Sequence, residues 1–223
     1  MRIVSWNSCG KFREKYRAIQ ALNADVYVIQ ECENPDQHRE AFAGFYSNFI
    51  WCGGNESKGL GLFIRDGLKF QRNDWPCYCL AHFMSVKVSD TVDILGVWAG
   101  KPYIEEYYIY QSINLDRFGP QTVIIGDFNS NAQWDAEHGT RNHSAVVKEL
   151  NQRGLVSAYH HVTGEEQGRE QQATFYMYRH KDRPYHIDHC FVSPKILRAY
   201  EIISGESWAG LSDHLPIQID INT

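Results

Sequence analysis

The sequence predicts an α/β fold: two packed β-sheets with helices on their outer faces. Two patterns point that way. Short apolar runs rich in β-branched and aromatic residues recur at strand length, and only a few stretches carry the longer helical period. A chain of 223 residues with 43% hydrophobic and 22% charged residues has the make-up of a folded globular protein. It suits one domain spanning residues 1–223.

Residues 2–6 alternate and read as a first strand. Lys11 to Leu22 places Phe12, Tyr16, Ile19 and Leu22 at helical spacing, an amphipathic helix. Asp25 to Gln30 is a buried strand, so this strand–helix–strand opening lays a helix on one sheet face. Gly59 to Ile64 is another strand, its glycines marking close backbone approach. Phe83 to Val88 and Val92 to Trp98, joined by Ser89-Asp90-Thr91, form a hairpin. Glu105 to Leu115 is a tyrosine-rich helix and Thr122 to Ile125 a short buried strand. Ser144 to Leu150 is a helix with Asn142 or His143 at its cap. Leu155 to Tyr159 and Ala173 to Tyr178 are extended pieces, Thr163 to Gln172 is a surface loop, and His186 to Val192 and Leu215 to Ile221 are strands.

Four stretches sit at the edges of these runs: Trp6-Asn7, Gln30-Glu31, Gly126-Asp127-Phe128-Asn129 and Ser212-Asp213-His214. They bring carboxylates, amides and an imidazole to strand ends, chemistry that suits a hard, oxygen-preferring cation and a phosphate ester. Asp127 and Asn129 are two apart, so an extended backbone would put both on one face. A charged Glu31 ending a buried strand needs a partner or a metal. Asp188 and Asp213-His214 begin their strands, whereas Glu31 and Asp127 end theirs. Antiparallel neighbours would therefore gather all of them on one rim.

The net charge of −5 means that a polyanionic substrate needs a local basic patch or a bound cation. Two basic clusters are candidates to flank the site: Lys11, Arg13, Lys15 and Arg17, and Arg179, His180, Lys181 and Arg183. Six scattered cysteines predict free thiols and a cytoplasmic setting. Cys77 and Cys79 read as ordinary strand residues, not zinc ligands. No apolar run approaches ~18 residues, and no secretory leader is visible. His160-His161 on a strand would point opposite ways, which argues against one shared ion.

Trp6-Asn7, Gln30-Glu31, the Gly-Asp-Phe-Asn run at 126–129, His186-Ile187-Asp188-His189 and Ser212-Asp213-His214 together resemble the endonuclease/exonuclease/phosphatase superfamily. That group includes DNase I, exonuclease III, abasic-site endonucleases, neutral sphingomyelinases and inositol polyphosphate 5-phosphatases. The resemblance runs from residue 3 to about 217. It implies a four-layer α/β sandwich and Mg²⁺-dependent hydrolysis, with Mn²⁺ as a substitute. By the same resemblance Glu31 is the principal metal ligand, with Asn7 and Asp213 nearby. Asp127 orients or deprotonates the attacking water, Asn129 holds a phosphate oxygen or the nucleophile, and His214 contacts phosphate under polarisation by Asp188. Two departures stand out. Gly96-Val97-Trp98-Ala99 has Trp98 where many members carry Tyr or His at the phosphate, leaving Tyr103 and His143 as candidates to substitute. His186-Ile187-Asp188-His189 replaces the common Arg-Ile-Asp-Tyr.

The expectation is a Mg²⁺-dependent phosphodiesterase acting on nucleic acid, DNA above all. Lys11, Arg13, Arg179, Lys181, Trp98, Tyr103 and His143 are the expected substrate contacts. The competing readings are a phosphatase or phosphodiesterase for a small phosphorylated metabolite or lipid headgroup, and a binding protein without catalysis.

Overall fold

The computed structural model describes residues 1–223. In chain order the elements are β1 (Arg2–Asn7), α1 (Phe12–Gln20), β2 (Val26–Cys32), β3 (Asn48–Asn55), β4 (Lys58–Ile64), β5 (Phe70–Arg72), β6 (Phe83–Val88), β7 (Val92–Trp98) and α2 (Ile104–Asn114). There follow β8 (Thr122–Asp127), α3 (His143–Gln152), β9 (Val156–Ser157), α4 (Ala158–Thr163), β10 (Phe175–Tyr176), β11 (Pro184–Tyr185), β12 (Asp188–Val192), β13 (Leu197–Ile202), α5 (Glu206–Leu211) and β14 (Ile217–Ile221). Two six-stranded sheets run β13-β14-β1-β2-β4-β3 and β5-β6-β7-β8-β12-β9, with β10-β11 as a small ribbon.

The period-2 pattern explains the layering. In β2, Val26 and Val28 point to the space between the sheets, where they join Ile3, Leu62, Ile94, Val123 and Ile125. Tyr27 and Ile29 point outward, into a cluster with Phe12 and Ile19 of α1. In the second sheet Leu95, Val97, Ile124 and Phe191 point outward to Tyr107 of α2 and Val146 and Leu150 of α3. Each central strand is thus apolar on both faces, and the result is helix, sheet, sheet, helix. The α/β sandwich expected from the sequence is the observed fold.

Some local readings are corrected. Leu155 to Tyr159 is not one extended piece: Val156–Ser157 is a two-residue strand, and Ala158–Thr163 is helical. Burial of Ala158 and Tyr159 outweighs the strand preference of Tyr and Val. His160 and His161 therefore lie on a helix, where His160 turns inward to Glu170 at 3.0 Å. Cys77 and Cys79 lie in the irregular segment between β5 and β6. Asn142, not His143, caps α3, accepting the Ala145 N–H at 2.9 Å.

The topology gathers the strand ends. β1 and β2 are parallel and end together, Asn7 opposite Gln30. β7 and β8 are also parallel and end with Trp98 opposite Asp127. β12 runs antiparallel to β8 and starts at Asp188, opposite Asp127. β14, antiparallel to β1, begins just after Asp213-His214. Carboxyl ends of four strands and amino ends of two therefore share one rim.

Candidate active site

Asp127 is the centre of that rim and is fully buried. Gly126 before it has φ 155°, and a Cβ there would stand 2.0 Å from the Val97 carbonyl oxygen. Only glycine lets β8 approach β7 so closely while presenting the next carboxylate. Asn129 then bends back with φ 49°. The extended backbone expected between Asp127 and Asn129 is therefore replaced by a left-handed turn. The turn still brings them together: Asp127 Oδ1 accepts the Asn129 N–H at 2.8 Å, and Oδ2 accepts Asn129 Nδ2 at 3.1 Å. Asn7 Nδ2, from the other sheet, donates to Oδ2 at 2.9 Å.

His214 lies across from Asp127. Its Nδ1 is 2.9 Å from Asp188 Oδ2, and its Nε2 is 4.0 Å from Asp127 Oδ2. Phe175 packs on the imidazole with ring centres 4.6 Å apart. The backbone around it is fastened to β1. Ser212 Oγ donates to the Asn7 carbonyl at 2.7 Å and accepts the His214 N–H, and Trp6 Nε1 donates to the His214 carbonyl at 3.0 Å. Asp188 is held in turn by Thr174, whose Oγ1 accepts the N–H groups of Ile187 and Asp188, each at 3.0 Å.

Burial pushes the Asp127 carboxyl upward, with His214 pulling it back and Asp188 adding to the rise. Burial acts on His214 in the opposite sense and would lower it. Asp188, then Asp127, outweigh that effect and raise the imidazole to about 9. At neutral pH His214 therefore keeps its proton and stands between Asp188 and Asp127. Asp127, Asp188 and His214 offer ligand atoms within 4.8 Å of one another. The proton on His214 offsets the acidic groups on either side of it.

Oxygens at the neighbouring strand ends fit a hard cation. Glu31 sits in a bulge where the β2–β4 register shifts, with φ 54°, and the bulge turns its carboxylate to the rim. It pairs there with Lys58. Cys9 and Lys58 each lie within electrostatic reach of both Asp213 and Glu31. Asn7 adds an amide oxygen, which accepts the Cys9 N–H at 3.0 Å. An all-oxygen set of two carboxylates and an amide, offset here by an ammonium, matches the donors that Mg²⁺ or Mn²⁺ takes.

The remaining candidates divide. Trp98 is half-buried beside Asp127, its ring 4.5 Å from that of His82. Tyr103, with φ 61°, is half-buried at the start of α2, four residues beyond Ala99, whose carbonyl accepts Asn129 Nδ2 at 3.1 Å. His143 is 1% exposed. Its Nδ1 meets Ser130 Oγ at 3.2 Å and its ring packs on His189, so it offers no surface to a substrate, a correction to its expected role. Lys11 is exposed at the start of α1. Arg13 is tied to Glu33 at 3.0 Å, and Glu33 also accepts the Phe12 N–H at 2.7 Å. Arg13 thus fastens the helix start and shares its charge with Glu33. Arg179 and Lys181 are exposed around a cavity that reaches Asp213. Lys58 and Thr174 escaped the sequence reading: neither stands in a motif, and only folding brings them to Glu31 and Asp188.

No curated protein matches the chain in sequence. Among solved structures, it is similar to a variant of the 3′ phosphatase NExo from Neisseria bound to product DNA hairpin, with TM-score 0.71, 18% identity and 100% of both chains covered. It is also similar to an AP endonuclease from Archaeoglobus fulgidus, with TM-score 0.74, 15% identity and 100% of both chains covered. At such identities these likenesses speak for the fold. The sequence profile of the Endonuclease/Exonuclease/phosphatase family matches residues 4–214, a span that runs from β1 to His214 and takes in Asn7, Glu31, Asp127, Asp188 and Asp213. The chain belongs to the Endonuclease/Exonuclease/phosphatase family and is a phosphoric ester hydrolase.

Proposed function

We propose that residues 1–223 act as one domain and form a Mg²⁺-dependent phosphodiesterase, Mn²⁺ substituting, whose substrate is nucleic acid and above all DNA. The observation that carries this reading is the buried Asp188–His214–Asp127 array, flanked in sequence and at the strand ends by Asp213 and Glu31. A bound cation on Glu31, Asp213 and the Asn7 amide oxygen would offset charge on the non-bridging oxygens. Asp127, its carboxylate fixed by Asn7 and Asn129, takes the proton of the attacking water as the new O–P bond forms and the leaving O–P bond breaks. His214 donates from Nε2 to a phosphate oxygen, while Asp188 fixes the ring and keeps it charged. Asn129 orients the Asp127 oxygen that receives the proton.

DNA is favoured by the cations gathered near Asp213 and Glu31. Lys15 and Arg179 lie close to Cys9 and Asp213, and Lys58 and Lys181 stand at the same rim. The NExo structure, bound to product DNA hairpin, supports the same substrate class. The six cysteines are all unpaired, which suits a cytoplasmic setting, and no helix is long and apolar enough to cross a membrane. The test is incubation with Mg²⁺, with Mn²⁺ and with chelator against single-stranded, duplex and abasic DNA, RNA and a phosphoinositide panel. Cleavage of DNA that chelator abolishes is the expected result. Hydrolysis of phosphoinositides alone would overturn the substrate.

A further inference from the structure

A cavity of about 300 Å³ opens beside Asp213. One wall is the segment from Tyr176 to Lys181; the other is the turn at Ser204-Gly205 and the exposed side of α5 at Ala209. The volume stands at the low end of small-ligand pockets (~300–1,000 Å³). It accommodates one monomer and not a stretch of polymer.

Both walls are fixed before any ligand arrives. The Tyr176 N–H donates to the Asp213 carbonyl at 2.8 Å and the Leu215 N–H to the Thr174 carbonyl at 2.7 Å. Phe175 bridges His214 as an isolated β-pair. The cavity wall and the Asp213-His214 segment are therefore one rigid piece. Opposite, Trp208 of α5 is buried and packs edge-on against Trp6, ring centres 5.4 Å apart. Tyr178 and Arg179 both take left-handed backbone angles, φ 55° and 61°, a conformation that L side chains adopt only under constraint. The turn aims Arg179 across the gap, where its Nη1 meets the Gly210 carbonyl at 3.4 Å.

The lining combines a half-buried aromatic ring, Tyr176, with two cations, Arg179 and Lys181. Of the two carboxylates in the lining, Asp213 is the one proposed above to hold a cation, which would neutralise it, and Glu206 is exposed at the start of α5. A flat ring carrying a phosphate matches this lining: the ring stacks on Tyr176 and the phosphate meets the cations.

We infer that this cavity is a nucleotide subsite, holding the single nucleotide unit adjoining the scissile phosphate with its base on Tyr176 and its own phosphate on Arg179 and Lys181. The inference rests on the reading of the chain as a nuclease. It makes Arg179 and Lys181 the walls of a pocket for one unit rather than part of a long groove.

The test is titration calorimetry of deoxyadenosine monophosphate, and separately of inorganic phosphate and deoxyadenosine, into the Mg²⁺-loaded protein. Ala209→Trp fills the cavity from an exposed helix position, and Lys181→Glu reverses one charge on an exposed loop; melting curves verify that both fold. Each substitution is expected to raise the Kd for the nucleotide about tenfold or more. Ala209→Trp should change the Kd for phosphate less than twofold, and deoxyadenosine should bind more weakly than the nucleotide. No binding of nucleotide by the unaltered protein, or equal Kd before and after Ala209→Trp, would overturn the subsite. If DNA is not cut yet Ala209→Trp still weakens nucleotide binding, the subsite stands and only the polymer substrate falls. If DNA is cut and the Kd is unmoved, the subsite alone falls.

Discussion

Asp188 and His214 stand 26 residues apart in the chain, yet their side chains meet at 2.9 Å with both nearly closed to solvent. A pair so joined acts as one group. Asp188→Asn and His214→Ala should each lower kcat by about 10²–10⁴-fold with little effect on KM. The double variant should be hardly slower than the worse single one, and strictly multiplicative losses in steady-state kinetics would show two independent roles. Glu31 is a different case, placed by a backbone bulge and met only by Lys58 at the surface. Glu31→Gln keeps the shape and removes the charge. Calorimetry with Mg²⁺ or Mn²⁺ should show affinity reduced about tenfold or more with the circular dichroism spectrum unchanged; equal affinity would take Glu31 out of the metal role.

Strands and turns carried these side chains into place, and their legibility was uneven. The central strands were readable because both faces are apolar and their ends carry the chemical residues. Edge strand β3 was missed, because Gly53-Gly54 and its polar ends break the apolar run. β13 was missed because it is largely solvent-facing. Helix α4 was hidden behind residues that prefer strands. Of the site, motif residues were visible and their supporting contacts were not. Arg13 shows why: its charge suggested phosphate, and only the fold reveals Glu33 beside it. Gly126 is a second case: it stood in a visible motif, and only the fold reveals the Val97 carbonyl that excludes a side chain there. Gly126→Ala should destabilise by roughly 3 kcal/mol or more, since the new Cβ meets backbone that cannot yield without parting β7 from β8. Urea unfolding monitored by tryptophan fluorescence measures it, and a loss under about 1 kcal/mol would show that the strands can separate there at little cost.

At the scale of the whole molecule, four histidines from α3, α4 and the chain around the start of β12 come together. His143, His189, His186 and His160 pack in a row with ring centres 4.6, 5.1 and 6.1 Å apart. Burial lowers His143 to about 4, holds His189 well below its usual value and lowers His186, while the carboxylates Asp135 and Glu170 only partly compensate for His143. In the unfolded chain His143, His186 and His189 take a proton near pH 6.5. Their contribution is therefore fully present above pH 6.5 and is lost as pH falls toward 4, where the unfolded chain binds more protons. Each histidine contributes up to about 1.4 kcal/mol per pH unit to that loss. Urea midpoints between pH 7 and pH 5 should fall, and His143→Gln should flatten the decline; an unchanged slope would show that His143 titrates as freely folded as unfolded. The order of strands has its own bearing on synthesis. β1 lies between β2 and β14, so the first strand made waits for the last. Ser212, Asp213 and His214 directly precede that strand and are seated on β1 by Ser212 and Trp6. A growing chain emerging from the ribosome thus carries Glu31 and Asp127 long before His214 has a place to rest. No partial chain assembles the whole array. Hydrolytic competence arises in one step, when the closing strand docks.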